Sequence, residues 1–353
     1  MSVFEDLLRA WDGEETAIRF DAASGTWMFV CVHSTVLGPA AGGTRMKVYA
    51  EPADALRDAT RLAAAMTAKN ALADLPLGGG KAVLAVPEIP QGSARRELLL
   101  RYGDLLSALG GTYRAACDMN TTELDMDVVA ERSPYIFGRT VQGGGSGTSA
   151  PATAIGVFHG IRASVAKAFG SPDLTGRTVL VQGVGAVGRV LASELRDAGA
   201  NLVLTDVDET RAKEAANELG AGVVPPDEAV ATECDVFSPC ATGGVLDAAS
   251  IVSLRCRVVA GAANNQLAQA EDAERLAERG ILYAPDYVVN AGGIIHLASL
   301  ELLGEDEARL DERVRGIEDT LTEVFRTAEA EGISTGAAAE RMVQRRLTEG
   351  RRL

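Results

Sequence analysis

A glycine-rich turn between an apolar strand and a helix most constrains how this chain can fold. Residues 178–188 read TVLVQGVGAVG, so Gly183, Gly185 and Gly188 fit the pattern GxGxxG. Such glycines let the backbone approach a pyrophosphate, whose charge the N-terminus of the next helix stabilises. The following predicted strand ends in Asp206. An acidic side chain there binds ribose hydroxyls and repels a 2′-phosphate, which predicts NAD rather than NADP.

Predicted helices and strands alternate on both sides of this turn. A helix over 152–169 precedes the strand 177–183, and the sequence after the turn predicts a helix, the strand 201–206 and a further helix. Strands that alternate with helices of this length predict a parallel, doubly wound sheet. We therefore assign an α/β fold. In this context a glycine turn that binds a dinucleotide is favoured over one that binds no ligand.

Two polar segments follow later predicted strands, at the sheet edge where ligands bind in such folds. They read SPCATGG and GAANNQ. Asn264 and Asn265 are candidates to hydrogen-bond a nicotinamide ribose or a substrate. They are equally well explained as turn asparagines.

Length and composition limit the remaining possibilities. The 353 residues, 47% of them hydrophobic, suggest two domains. A net charge of -15 argues against a nucleic-acid partner. The five cysteines form no CxxC and the three histidines lack zinc-ligand spacing, so we expect reduced thiols and no metal. Without a signal-peptide pattern or an apolar run of membrane-spanning length, the sequence predicts a cytoplasmic protein.

The first part of the chain mixes predicted strands and helices, and a glycine-rich stretch follows it at 141–151. That composition is typical of a hinge or an interdomain crossing. We predict a first domain over 1–137 and a doubly wound second domain over 138–325, separated by a cleft. The C-terminal helix over 326–353 is expected to pack back on the first domain.

Two lysines and an aspartate of the first domain are candidates for chemistry. Lys69 and Lys81 flank LPLGGG, and Asp118 follows an apolar run. A lysine that burial and a neighbouring ammonium hold near neutrality can act as a general base, while its neighbour stays charged and binds a carboxylate. Solvated surface lysines and a turn or cap aspartate are the commoner alternatives. Taken alone, the three residues favour those alternatives.

Seven segments, in order, carry a family resemblance: LGPAAGGTR, AMTAKNALADLPLGGGKAV, ACDMNT, GVGAVG, SPCA, GAANNQLA and GILYAPDYVVNAGG. Together they resemble the dehydrogenases that act on leucine, valine and phenylalanine, relatives of glutamate dehydrogenase. The resemblance runs from about Trp11 to the last helix. It implies that an L-amino acid, NAD⁺ and water give a 2-oxo acid, NADH and ammonia, and that the chain forms a homo-oligomer through its first domain.

The resemblance also implies residue roles. Lys81 resembles the catalytic base toward water, Asp118 the residue that handles the amino group, and Lys69 the partner of the substrate α-carboxylate. The GGG backbone before Lys81 would form a cleft wall. The expected substrate-binding residues are Gly42, Gly43, Lys69, Asn264, Asn290, Ala41, Ala116, Ile294 and Leu297. The expected cofactor-binding residues are Thr153, Gly183, Val184, Gly185, Ala186, Val187, Gly188, Asp206, Cys240, Ala241, Ala262 and Asn264.

The substrate side chain is expected to be apolar. Glutamate enzymes of this superfamily carry a lysine just before the paired glycines, where this chain has Ala41. An alanine cannot pair with a second carboxylate, whose burial would then be costly. AAGGTR and IIHLA resemble phenylalanine enzymes, whereas ACD and APDYVVNAGG resemble leucine and valine enzymes. We favour phenylalanine narrowly, with leucine or valine as the alternative and a catalytically silent NAD sensor as a rival of another class.

Overall fold

The computed structural model describes residues 3–350, which form two compact units. The first unit contains 3–148, 300–304 and 345–350, and the second contains 149–299 and 305–344. No helix among the described residues has the length and apolar character needed to cross a membrane.

The helices and strands are numbered in chain order. The helices are α1 Val3–Ala10, α2 Pro52–Leu72, α3 Gly92–Ala108, α4 Glu123–Ala130, α5 Ala150–Phe169, α6 Ala186–Asp197, α7 Glu209–Leu219, α8 Ala248–Ser253, α9 Asp272–Glu278, α10 Asp286–Val289, α11 Gly292–Leu297, α12 Glu307–Glu331 and α13 Thr335–Gly350. The strands are β1 Glu15–Asp21, β2 Thr26–Ser34, β3 Ala40–Lys47, β4 Gly78–Ala85, β5 Tyr113–Cys117, β6 Thr178–Gln182, β7 Asn201–Thr205, β8 Gly222–Val223, β9 Val236–Pro239, β10 Val258–Val259 and β11 Leu282–Tyr283.

The first unit is a mixed sheet with helices on both faces. Its strand order is β1-β2-β4-β3-β5, in which β4, β3 and β5 run parallel and the β1-β2 and β2-β4 pairs are antiparallel. On one face, Phe29 and Val83 pack against alanines of α2. On the other face, Leu84 and Tyr113 pack with side chains of α3 and α4. This sheet therefore carries residues of β2, β3 and β4 toward the same helix, α2.

The triple glycine lies inside β4, where each glycine is buried. A Cβ on Gly79 would overlap the backbone nitrogen of Thr67 in α2. A Cβ on Gly80 would lie 2.7 Å from the ring of Tyr113 on β5. These glycines thus allow the helix and the tyrosine to pack closely onto the strand, and the expectation that they form a cleft wall stays a prediction.

The second unit has the predicted doubly wound parallel sheet. Its strand order, β11-β10-β9-β6-β7-β8, is that of dinucleotide-binding domains, with the order reversing between β6 and β9. Helix α5 packs against α6, α11 and α12. Gly156 and Gly160 allow this contact, because a Cβ at either position would lie close to side chains such as Ile317 and Leu321. The predicted α/β fold is confirmed.

The division of the chain differs from the predicted boundaries, 1–137 and 138–325. Residues 138–148 belong to the first unit, because backbone nitrogens of Gly138 and Ser146 donate to the carboxylate of Glu301 at 3.1 and 2.8 Å.

The segment that returns to the first domain is also shorter in the structure than the expected 326–353. Within the described residues, only 345–350 of that segment belong to the first unit. Arg346 holds them there by donating to the Ala71 carbonyl at 2.7 Å and to Asp74 at 2.9 Å.

Candidate active site

Lys81 and Asp118 form a buried ion pair in the first unit. Lys81 lies in β4, two residues before Val83, and Asp118 directly follows β5. The Lys81 Nζ lies 2.8 Å from Asp118 Oδ2, and the side chains are 7% and 20% exposed. The strand register brings them together, because β3 pairs with both β4 and β5. Two candidates that are distant in sequence therefore lie in direct contact.

The charge of Asp118 is set by its neighbours. Burial alone would raise the pKa of this carboxyl, but the charges of Lys81 and Arg45 and hydrogen bonds from Lys81 and the Met119 backbone outweigh burial and lower the pKa to about 2. Asp118 is therefore an anion throughout the neutral and alkaline range.

Arg45 is a member of this site that the sequence reasoning missed. Its Nε donates to Asp118 Oδ2 at 3.1 Å, and its NH1 donates to Asp58 Oδ2 at 2.8 Å. Asp58, in α2, also accepts a hydrogen bond from the Tyr49 hydroxyl at 2.6 Å. Arg45 ends the quoted segment LGPAAGGTR, so the signal was present. Only the contact with Asp118 shows that this arginine belongs to the site.

Two predicted substrate residues, Gly43 and Ala116, lie on neighbouring strands beside the ion pair. Gly43 is opposite Ala116 in the β3-β5 register. A Cβ on Gly43 would lie 2.7 Å from Asp118 Cβ and 3.3 Å from Lys81 Nζ. The site therefore requires the absence of a side chain at this position of β3.

The remaining predicted substrate residues of the first unit are more spread out. The Tyr113 hydroxyl donates to the Gly42 carbonyl at 2.8 Å. Ala41 is completely buried, and Lys69 lies half-buried near the end of α2. In the second unit, Ile294 and Leu297 are buried in α11. That these apolar side chains share one pocket stays a prediction.

The glycine turn of the second unit leaves an open helix N-terminus after β6. Gly183 has φ of 99°, a conformation that favours glycine, and its Cβ would lie 2.7 Å from Ala241. At Gly185, the N-cap of α6, a Cβ would meet no atom of residues 3–350 within 4 Å, and no side chain in that range caps the helix. At Gly188 a Cβ would overlap the carbonyl oxygen of Gly183. Val184 is buried, whereas Ala186 and Val187 begin the helix.

Asp206 directly follows β7 and reaches this turn. Its Oδ2 accepts from the Val184 nitrogen at 2.9 Å, and its Oδ1 accepts from the Asp208 nitrogen at 3.0 Å. Burial would raise the pKa of this carboxyl, but the two backbone hydrogen bonds and Arg211 lower it. Asp206 thus holds the glycine turn in shape as well as presenting a negative charge beside it.

The other expected cofactor residues surround the reversal point of the sheet. Cys240 and Ala241 follow β9, and Cys240 Cβ would lie 3.4 Å from a Cβ on Gly188. Thr153, in the first turn of α5, lies close to Gly293. A Cβ added to Gly293 would lie 2.9 Å from Thr153 Oγ1.

Two predicted asparagines of the second unit, the exposed Asn264 and the buried Asn290, are in contact. Asn290 Nδ2 donates to Asn264 Oδ1 at 2.9 Å and to the Ala262 carbonyl at 3.1 Å. Its Oδ1 is buried, and no group of the described residues bonds to it. A buried amide oxygen without a partner is costly, so this atom suits a donor from a ligand.

These features fit a dinucleotide. The open N-terminus of α6 and the glycine turn suit a pyrophosphate, and Asp206 suits ribose hydroxyls. The acceptor on Asn290 suits an N–H or O–H donor of the bound molecules. The fit rests on backbone shape and charge that are already present in the second unit.

Comparison with known proteins places the chain in a family. Residues 18–135 match the family model "Glu/Leu/Phe/Val dehydrogenase, dimerisation domain", and 144–210 and 204–350 match the model "Glutamate/Leucine/Phenylalanine/Valine dehydrogenase". The chain is 42% identical to leucine dehydrogenase of Thermoactinomyces intermedius over 347 residues, which cover 98% of this chain and 94% of that one. It is 44% identical to valine dehydrogenase of Streptomyces albus over 341 residues, 96% of this chain and 93% of that one.

A solved structure gives the same result. The L-tryptophan dehydrogenase of Nostoc punctiforme superposes with a TM-score of 0.85 at 36% identity, covering 99% of this chain and 100% of that one. Family models over most of the sequence, relatives over nearly its full length and this structural neighbour all agree. The chain belongs to the Glu/Leu/Phe/Val dehydrogenase family and is an NAD(P)-dependent amino-acid dehydrogenase.

Proposed function

We propose that this enzyme catalyses the reversible oxidative deamination of a branched-chain aliphatic L-amino acid, leucine or valine, with NAD. The observation that carries the proposal is the buried Lys81–Asp118 ion pair beside an alanine-lined strand. Resemblance to leucine and valine dehydrogenases over nearly the whole chain supports these substrates over phenylalanine, which the segments AAGGTR and IIHLA favoured narrowly. Ala41 also argues against a second carboxylate on the substrate.

Lys81 and Asp118 divide the proton transfers in this proposal. Lys81, in its uncharged form, takes a proton from the water that attacks the imino carbon of the substrate. Asp118 is anionic, so it can hold the substrate amino group and accept its proton. The contact of 2.8 Å between Lys81 Nζ and Asp118 Oδ2 lets both act on neighbouring atoms of one small substrate. The bound dinucleotide supplies the acceptor for the hydride that leaves Cα.

The remaining predicted residues bind and orient. Lys69 pairs with the substrate α-carboxylate, and the Gly42 and Gly43 backbone lies against it. Asn264 and Asn290 hold the substrate and the nicotinamide, for which the buried Asn290 Oδ1 supplies an acceptor.

The choice of NAD over NADP rests on Asp206. Its carboxylate is fixed beside the glycine turn by Val184 and Asp208, so it cannot swing away from a 2′-phosphate without breaking both bonds. Arg211, 3.4 Å from Asp206 Oδ1, offsets part of that charge. We expect NAD to be preferred, with NADP used less well.

We also propose that the enzyme self-associates through its first unit and works in the cytoplasm. The match of residues 18–135 to a dimerisation domain supports the first point. Sedimentation or light scattering of the purified protein tests it, and a monomer at assay concentration would contradict it.

The substrate proposal is tested by NADH formation at alkaline pH with each L-amino acid, and with NADP in parallel. We expect turnover to be highest with leucine or valine. Turnover led by phenylalanine or tryptophan would assign the enzyme to aromatic substrates. Binding of NADH without turnover on any amino acid would indicate the silent sensor instead.

A further inference from the structure

The Asp118 carboxylate is held by two cations of different chemistry. Lys81 Nζ and Arg45 Nε both contact its Oδ2, at 2.8 and 3.1 Å. A lysine must be uncharged before it can act as a base, whereas an arginine stays protonated in proteins. The charge of Lys81 therefore changes during turnover, whereas the charge of Arg45 is permanent.

Arg45 is itself fixed from its far side. Its NH1 donates to Asp58 Oδ2 at 2.8 Å, and the two side chains are 12% and 13% exposed. Asp58 also contacts Tyr49 and, at 3.2 Å, Arg61. Charges thus alternate from Lys81 through Asp118, Arg45 and Asp58 to Arg61. Each buried charge in this chain of contacts has an opposite charge beside it, as burial requires.

The step in which Lys81 is uncharged is the one that needs Arg45. At that point, Lys81 no longer compensates the buried carboxylate of Asp118, and a buried anion without a counter-ion is strongly unfavourable. The carboxylate would then take up a proton from elsewhere or change its rotamer, and either change would leave it unable to hold the substrate amino group and accept its proton. Because Arg45 keeps its charge and is anchored by Asp58, it can prevent both changes.

We propose that Arg45 is a positioning residue of the reaction, which holds Asp118 ionised and in place while Lys81 is uncharged. Asp58 serves as its anchor on α2. The inference rests on the proposed roles of Lys81 and Asp118 and extends them to a residue that need not touch the substrate.

The first unit contains a second arginine–aspartate pair, which serves as a control for structural effects, including those on the loop after Asp118, because Arg95 NH2 also donates to the Asn120 carbonyl at 2.7 Å. Arg95 donates through Nε and NH2 to Asp125 at 2.7 and 2.6 Å. Asp125 closes the capping box of α4 with Thr122, which is a structural role. An arginine that acts only by stabilising the fold should behave like Arg95.

The experiment compares Arg45→Ala, Arg45→Lys and Arg95→Ala with the wild type in steady-state kinetics and thermal unfolding. For folded Arg45→Ala we expect kcat to fall by about tenfold to a hundredfold, as for a displaced catalytic group, with little change in the Kd of NADH. Added guanidinium ion should restore part of this kcat, whereas the same concentration of sodium chloride should not. Arg95→Ala should lose thermal stability, keep kcat in the folded protein and show no response to guanidinium.

Arg45→Lys covers the case in which Arg45→Ala does not fold. One ammonium cannot bond both Asp118 and Asp58 with the geometry of Nε and NH1. We therefore expect the lysine variant to fold, with kcat reduced and the KM of the amino acid close to that of the wild type. Wild-type kcat in Arg45→Lys, or in folded Arg45→Ala, would overturn the inference. So would a kcat loss in Arg45→Ala that guanidinium does not relieve and that Arg95→Ala shares.

The wild-type protein measured in parallel separates this inference from the proposed function. A wild type that turns over no amino acid would overturn both. An active wild type together with an equally active Arg45→Ala variant would overturn the role of Arg45 alone.

Discussion

Gly43→Ala tests whether the geometry of the Lys81–Asp118 pair sets the rate. The new Cβ would lie 2.7 Å from Asp118 Cβ and 2.8 Å from the Cys117 carbonyl oxygen, whereas ordinary contacts begin near 3.4 Å. The backbone and Asp118 must therefore separate by several tenths of an ångström. Such a shift lengthens the contact of 2.8 Å between Lys81 and Asp118.

The expected effect on catalysis is larger than the effect on stability. Misplacing a catalytic group by about 1 Å costs on the order of a hundredfold in rate, so we expect kcat to fall by about ten- to a hundredfold. Overpacking of this kind destabilises by about 1–3 kcal/mol. The Kd of NADH should stay near that of the wild type, because the glycine turn lies in the second unit.

The assay combines kcat and KM for L-leucine, NADH fluorescence titration and denaturant unfolding. Gly316→Ala in the middle of α12 is the control, since a Cβ there meets no atom of the described part of the chain within 4 Å. It should raise stability by about 0.5–1 kcal/mol and leave kcat unchanged. A folded Gly43→Ala enzyme with wild-type kcat would refute the argument that this contact sets the rate.

Three further predictions concern the ion pair and the glycine turn. Lys81→Met should lower kcat by about 10²–10⁴-fold with NADH binding retained, and undiminished turnover would exclude Lys81 as the base. Gly188→Ala, whose methyl group would overlap the Gly183 carbonyl, should weaken NADH binding in fluorescence titrations by about 1–3 kcal/mol; unchanged affinity would contradict this reading of the turn. The pKa of Asp118 is lowered from 3.8 to about 2, so its ion pairs stabilise the protein above pH 4 and are lost as the pH falls through about 2. The difference in unfolding free energy between wild type and Asp118→Asn should therefore shrink over that interval in urea titrations, and a difference independent of pH would refute the assignment.

Local patterns carried the prediction of the second unit. The strand, glycine turn and helix around Gly183 are contiguous in sequence, and the acidic residue at the end of β7 follows at a fixed spacing. Backbone conformation and helix polarity act over these short distances, so the fold class and the dinucleotide fingerprint could be predicted without the structure.

The meaning of the triple glycine could not be predicted in this way. Its composition suggested a wall of the site, but Gly79 and Gly80 are required by Thr67 and Tyr113, which come from another helix and another strand. A glycine needed for a close approach looks the same in sequence as one needed for a ligand. Which atoms approach it is decided only when the sheet and α2 have packed.

The sequence by itself determined the family, the α/β fold and the residue types that carry the chemistry, because these depend on periodicity and contiguous motifs. The tertiary structure decided which of those residues meet. Arg45, Asp58, Lys81 and Asp118 come from β3, α2, β4 and the end of β5. Their contacts of 2.8 to 3.1 Å arise from the strand register and from the need of buried charges for opposite partners. Neither the register nor the pairing of these charges can be predicted from a single segment of the sequence.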